Sequence, residues 1–213
     1  MTPASARPSE PVQPPQETRG AGFTTRGTWF GPAERPLAGW WTVPDRPSCD
    51  GVIIAPPLGY EYWSAHRSLR TLGETLARAG WNVLRFDWDG SGDSAGEASD
   101  PDRVAAWRAS LAHAVGAMRE ASMERVALIG LRLGATLALL DAAAFGIDEV
   151  VACRRPGRHR PGNDRAAGGI AQLDRGALRI RMQQAGCGAA CRSAPCRSAR
   201  MPADARHAGE ADR

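Results

Sequence analysis

The chain has 213 residues, 43% of them hydrophobic, and its 27 Arg against 23 acidic residues give a formal net charge of +4, with no Lys. This length suits one domain with extensions. No run approaches the ~20 apolar residues of a membrane span, and the N-terminus lacks the apolar segment of a signal peptide. We therefore expect a soluble, cytoplasmic protein without a membrane partner.

The composition changes at Cys153. Every Trp, Tyr, Phe and Val precedes it, whereas residues 153–213 hold 13 of the 27 Arg and four of the five Cys. Residues 1–152 carry 14 Arg and 18 acidic residues, a charge of −4, and residues 153–213 carry 13 Arg and five acidic residues, a charge of +8. We expect a disordered Pro-rich N-terminus over 1–26, a folded body over 27–152 and a disordered tail over 153–213.

The body alternates strand and helix patterns. Short strands are predicted at 28–30 and 37–43, and a strand buried on both faces at 51–55. Leu69, Leu72 and Leu76 recur at helical spacing and predict a helix over 64–79. The remaining elements are predicted as a strand at 81–86, a helix over 100–121 with Asp100 as N-cap, a strand at 126–129, a helix ending near 146 and a strand starting at 148. This order predicts an α/β fold with a doubly wound, mostly parallel sheet.

The most informative motif is Gly130-Leu-Arg-Leu-Gly134, which stands between an apolar strand and an apolar helix. Two glycines at this spacing allow a tight strand-to-helix turn and close backbone approach. In this pattern the residue at the tip of the turn is usually a nucleophile, held above the next backbone N–H. Here the tip is Arg132, whose guanidinium stays protonated and cannot attack a carbonyl.

Three motifs in register resemble those of α/β-hydrolases. Gly51-Val-Ile-Ile-Ala-Pro-Pro-Leu-Gly-Tyr-Glu61 is similar to their first strand and oxyanion loop. Asp87-Trp-Asp-Gly-Ser-Gly-Asp-Ser94 fits the loop after the following strand, and Gly130–Gly134 falls where the nucleophile elbow belongs. The order looks most like the serine aminopeptidase (S33)-like branch, including bacterial exosortase-associated hydrolases with a Gly-Leu-Arg-Leu-Gly elbow. The resemblance implies the N-terminal half of an α/β-hydrolase fold.

Intact relatives of this kind would hydrolyse esters, thioesters or amides, or transfer acyl groups. Their acid and His follow later strands, and residues 153–213 resemble none of that half. The resemblance implies that the N–H of Leu133 and one from Leu58 or Gly59 form an oxyanion-type donor pair. Arg132 would add a charged contact to an anion. Two readings stay open: an inactive hydrolase relative, and a non-catalytic module that binds a carboxylate or acyl ligand.

Other chemistry is weaker in the sequence. We expect no cofactor and no metal, because Asp87, Asp89 and Asp93 fit the hydrolase turn and Cys187, Cys191 and Cys196 lack a fourth zinc ligand. His66 is expected on a helix surface or in packing, since no nucleophile stands in a motif beside it. The basic tail is a third candidate as a nucleic-acid binder, but it has no aromatic residue to stack bases.

The tail also raises a hypothesis about the reading frame. Back-translation of 151–165 with GC-rich codons and a one-base shift can give an apolar stretch with Pro-Val-Val-x-Gly-Arg, which resembles the continuation of these hydrolases. Residues from about 153 onward would then be translated out of frame. Sequencing the gene across codons 150–165 tests this, and the hypothesis fails if no alternate frame continues the fold.

Overall fold

The structure is a computed structural model that describes residues 17–46, 48–153, 172–174 and 177–181. Its elements, in chain order, are β1 (Glu17–Gly20), β2 (Phe23–Phe30), β3 (Leu37–Pro44), β4 (Asp50–Ala55), α1 (Tyr60–Arg78), β5 (Asn82–Phe86), α2 (Arg103–Glu120), β6 (Arg125–Leu131), α3 (Leu133–Asp141), β7 (Glu149–Cys153), β8 (Gln172–Asp174) and β9 (Ala177–Arg181). None of the helices in these ranges is long and apolar enough to cross a membrane.

All nine described strands form one sheet in the order β1-β2-β3-β5-β4-β6-β7-β9-β8. The four central strands, β5-β4-β6-β7, run parallel, and antiparallel pairs flank them on both sides. The helical crossovers between the parallel strands produce this arrangement, since a parallel pair cannot be joined by a tight turn. The predicted doubly wound α/β fold is confirmed.

The sheet is covered on both faces. Helices α2 and α3 pack on one face over a large apolar core that includes Trp41, Ile53, Phe86 and Leu128. Helix α1 packs on the other face over a smaller cluster of five buried residues. Successive residues of β4 and β5 alternate between these two cores, because neighbouring side chains on a strand point to opposite faces.

The structure differs from the sequence prediction at both ends. Strand β1 and the start of β2 lie within 1–26, which was expected to be disordered, and they form an antiparallel ladder from Glu17↔Arg26 onward. In the tail, β8 and β9 were not predicted. Strand β9 pairs with β7, whose outer backbone groups would otherwise form an open sheet edge. The rest of the predicted tail, with Cys187, Cys191 and Cys196, lies outside the described residues.

The predicted cap of the second helix was wrong. Helix α2 begins at Arg103, and its N-cap residue is Asp102, which has a left-handed φ of 54° and makes no side-chain cap hydrogen bond. Asp100 instead accepts a hydrogen bond from the Glu97 N–H at 3.0 Å and pairs with Arg35. Because its carboxylate is engaged there, it does not cap the helix.

Candidate functional site

The elbow lies at the junction of β6 and α3. Arg132 occupies its tip with φ 59° and ψ −112°, a conformation that non-glycine residues adopt rarely and at a cost of about 1–3 kcal/mol. Its N–H donates to the Cys153 carbonyl at 3.1 Å, and its own carbonyl accepts from the Thr136 N–H at 3.1 Å. The turn is thus fixed between the neighbouring strand and the first turn of the helix.

The two predicted glycines are required by close packing. A Cβ on Gly134 would stand 2.1 Å from the Ala55 carbonyl oxygen, and one on Gly130 would stand 2.4 Å from the Ala135 Cα. Both neighbours are backbone atoms and cannot rotate away. The start of α3 therefore packs directly against the end of β4, where the predicted oxyanion loop begins.

The Arg132 side chain is paired. Its Nε donates to Glu61 Oε2 at 2.9 Å, and its Nη2 contacts Glu61 Oε1, so the guanidinium fork holds one carboxylate through two nitrogens. The hydrogen bonds that Arg132 donates to Glu61 raise the pKa of Arg132. Both side chains are exposed, 41% for Arg132 and 46% for Glu61. The sequence did not predict that Arg132 pairs with Glu61, because 71 residues separate the two.

The predicted donor residues lie around this pair. Leu133 is the first residue of α3, and its N–H belongs to the helix turn that lacks intrahelical acceptors. Gly59 is the N-cap of α1 with φ 61°, and Leu58 packs partly buried against the larger core. The segment from Ala55 to Glu61 is held against the elbow at both of its ends, by the Gly134 backbone contact and by the Arg132 ion pair.

The loop after β5 is held by hydrogen bonds on the α1 side. Asp87 accepts from the Tyr62 hydroxyl and, at 3.0 Å, from the Asp93 N–H. Ser94 Oγ donates to the Asp87 carbonyl at 2.7 Å and accepts from the Ala38 N–H at 3.0 Å. Burial raises the pKa of Asp87 and also that of Tyr62.

On the α2 side, Asp89 is surrounded by arginines. It accepts from Arg35 Nη2 at 2.9 Å and from Arg35 Nε, and it pairs with Arg103. The hydrogen bonds from Arg35, and next those from Arg103, hold the pKa of Asp89 below its ordinary value. The carboxylates of this loop are therefore structural partners, and the described residues contain no group of three or more His, Cys, Asp or Glu arranged for a metal.

The aromatic residues before and within α1 divide between core and surface. Trp41 is buried, whereas Tyr60 and Trp63 are 85% and 77% exposed beside Glu61. His66 lies on the helix surface, with its ring edge-on to Trp40 and Tyr62 at centroid distances of 6.4 and 5.7 Å.

Solved structures show what fold this is. A lidless α/β serine hydrolase of Xanthomonas campestris is 22% identical, with a TM-score of 0.52 over 72% of this chain and 68% of its own. An esterase of Pyrococcus furiosus is 24% identical, with a TM-score of 0.50 over 67% of this chain and 56% of its own. A hypothetical protein of Pseudomonas aeruginosa is 22% identical, with a TM-score of 0.54 over 64% of this chain and 44% of its own.

The chain thus has the α/β-hydrolase fold, and it spans between less than half and about two thirds of the length of these structures. No protein-family model matches the chain, and no curated protein matches it either.

Proposed function

We propose that the chain is a non-hydrolytic relative of serine aminopeptidase (S33)-like α/β-hydrolases whose elbow binds the carboxylate of an acyl ligand. The observation that carries this proposal is Arg132 at the elbow tip in a strained, positive-φ conformation. A nucleophile at this position would attack a bound carbonyl. A guanidinium in the same position can only donate hydrogen bonds, so the elbow retains a binding role without the chemical step.

The ion pair with Glu61 supports the ligand class. In that pair the Arg132 fork contacts the Glu61 carboxylate through two nitrogens, which is the geometry that a ligand carboxylate would adopt. Because both side chains are exposed, solvent screens the pair and it contributes little to stability. An incoming carboxylate can therefore displace Glu61 at little cost and would gain the first-turn N–H groups of α3 as further donors.

The exposed rings beside Glu61 support an acyl chain on the ligand. Tyr60 and Trp63 lie three residues apart on α1, so they share one helix face. Large exposed aromatics of this kind are commonly contact residues. A carboxylate at Arg132 would leave its apolar chain free to pack on these rings.

The test is to measure the dissociation constant of butyrate by saturation-transfer NMR. The wild type is expected to bind butyrate, and Arg132→Ala is expected to weaken binding about threefold, because a solvent-screened charge contact to the carboxylate is lost. Glu61→Gln should tighten binding, since it removes the internal competitor. Arg125→Ala, at an exposed arginine paired with Asp50, is the matched control and should change nothing.

Unchanged butyrate affinity in Arg132→Ala would contradict the binding role. The non-hydrolytic assignment is tested separately with a fluorophosphonate probe, which is expected to leave the protein unlabelled. Labelling of the folded protein at any hydroxyl side chain, lost when the protein is denatured, would show that a nucleophile is active and would reject the assignment.

A further inference from the structure

A second feature of the α1 face is a buried arginine outside the elbow. Arg85 lies in the middle of β5, opposite Trp40 of β3 and Ile54 of β4 in the sheet register. It is only 8% exposed. An arginine at such a position is unusual, because charged side chains are almost never fully buried unless they are paired.

Arg85 is not paired with any described residue. It forms neither a hydrogen bond nor an ion pair within the described ranges, and its Nε is buried without a partner. Its contact is instead the Trp40 ring, with the guanidinium carbon 5.3 Å from the ring centroid. Asp87 follows two residues later on the same side, but its two oxygens are engaged by Tyr62 and by the Asp93 N–H.

The guanidinium lines a pocket between the sheet and α1. The other lining residues are Trp40, Ile54, Pro56, Tyr62, His66, Leu69 and Phe86. The pocket encloses about 220 Å³ only when the open solvent at its mouth is included, so the space beside the guanidinium admits no more than a very small ligand. Its walls are aromatic and aliphatic, so Arg85 is the fixed positive charge that lines them.

We propose that this pocket binds a small monocarboxylate, with its carboxylate on the unpaired guanidinium of Arg85 and its apolar end toward the aromatic rings. The planar guanidinium fork matches a carboxylate through two parallel hydrogen bonds. A bound anion would also supply the partner that a buried charge requires. This site is distinct from the elbow, where the guanidinium of Arg132 is exposed and already paired.

Formate is the probe, because it is the smallest monocarboxylate. The melting temperature is measured while sodium formate replaces the sodium salt of a bulky sulfonate at constant ionic strength. At a few times the dissociation constant, the wild type is expected to melt about 2–4 °C higher, and the rise should saturate. Two variants are compared in the Arg132→Ala background, so that formate bound at the elbow does not contribute. In that background Arg85→Met should lose the rise, whereas Arg78→Met, at an exposed arginine at the end of α1, should keep it.

Each outcome decides the proposal. A missing or non-saturating rise in the wild type overturns it, and so does a rise that persists in Arg85→Met in the Arg132→Ala background. A rise that already disappears in Arg132→Ala alone assigns formate to the elbow and also overturns it. If Arg85→Met does not fold, Arg85→Lys replaces it. The shorter point charge is expected to raise the formate dissociation constant at least threefold, measured by saturation-transfer NMR, and an unchanged constant counts against the site.

Discussion

On the α2 side of the sheet, Asp89 is buried between two arginines, whereas on the α1 side Arg85 is buried with no carboxylate bound to it. The two groups stand four residues apart in the chain. Asp89 belongs to a network that ties the loop after β5 to the start of α2 through Arg103 and to the β2–β3 connection through Arg35. Arg85 instead faces a pocket.

This difference separates charge that holds the fold from charge that is available to a ligand. A paired buried charge has its desolvation cost offset by its partner. An unpaired one has no such offset, which is why burial lowers the pKa of Arg85. Substitutions on the two sides should therefore change stability in opposite directions.

The largest effect is expected for Asp89→Asn. The change leaves Arg103, whose side chain is 14% exposed, beside a neutral group and should lower the free energy of unfolding by about 3 kcal/mol. Urea denaturation measures this loss. Asp50→Asn is the control, because Asp50 pairs with an exposed arginine, and it should cost under about 1 kcal/mol. Equal losses in the two variants would show that the Asp89 network does not act as a buried pair.

Local sequence patterns predicted the central part of the fold. The strands β4, β5 and β6 and the elbow are encoded by apolar runs and by glycines at fixed spacing, so they were found at nearly the observed bounds. The N-terminal strand pair was missed at its start. Its first strand is polar and exposed, and it depends on pairing with β2 rather than on its own hydrophobic pattern.

The strand-to-helix turn at Arg132 was predicted from local sequence. The donor roles of Leu58, Gly59 and Leu133 stay predictions. The sequence did not indicate the contact with Glu61 or the burial of Arg85. The partner of Arg132 lies 71 residues away, beyond the reach of any local pattern. Arg85 did carry a signal, since a charged residue in a strand expected to be buried on both faces requires an explanation. The reading-frame hypothesis for the tail stays a prediction.

A smaller effect of opposite sign is expected for Arg85→Met. Removing an unpaired buried charge while keeping an unbranched side chain should raise the free energy of unfolding by about 1 kcal/mol, after the lost contact with Trp40 is counted. The measurement needs a buffer whose anions are too bulky for the pocket. Arg103→Met on the α2 side should lose stability under the same conditions. If both variants lose stability, the buried arginines on the two sides of the sheet both stabilise the fold, and the proposed difference between them is rejected.

The smallest effect at neutral pH is expected for Asp87→Asn. Burial raises the pKa of Asp87 in the folded chain, so ionising it costs stability, but the carboxylate also keeps two hydrogen bonds. These contributions offset each other, and the variant should lie within about 1 kcal/mol of the wild type at pH 7.

The pH dependence separates the two carboxylates more sharply than any value at a single pH. The stability that Asp87 contributes is present below its unfolded pKa of about 3.9 and is lost as the pH rises through its raised folded pKa. Asp89 has a depressed pKa, so its contribution is present above about 3.9 and is lost as the pH falls through the folded value. Relative to Asp87→Asn the wild type should lose stability on going from pH 4 to pH 7, and relative to Asp89→Asn it should gain stability on going from pH 2 to pH 4. Neither slope can exceed about 1.4 kcal/mol per pH unit, because one proton is involved. The free energy of unfolding is measured by urea denaturation at these pH values. If it changes with pH in the same way in the two variants, the proposed difference between Asp87 and Asp89 is rejected.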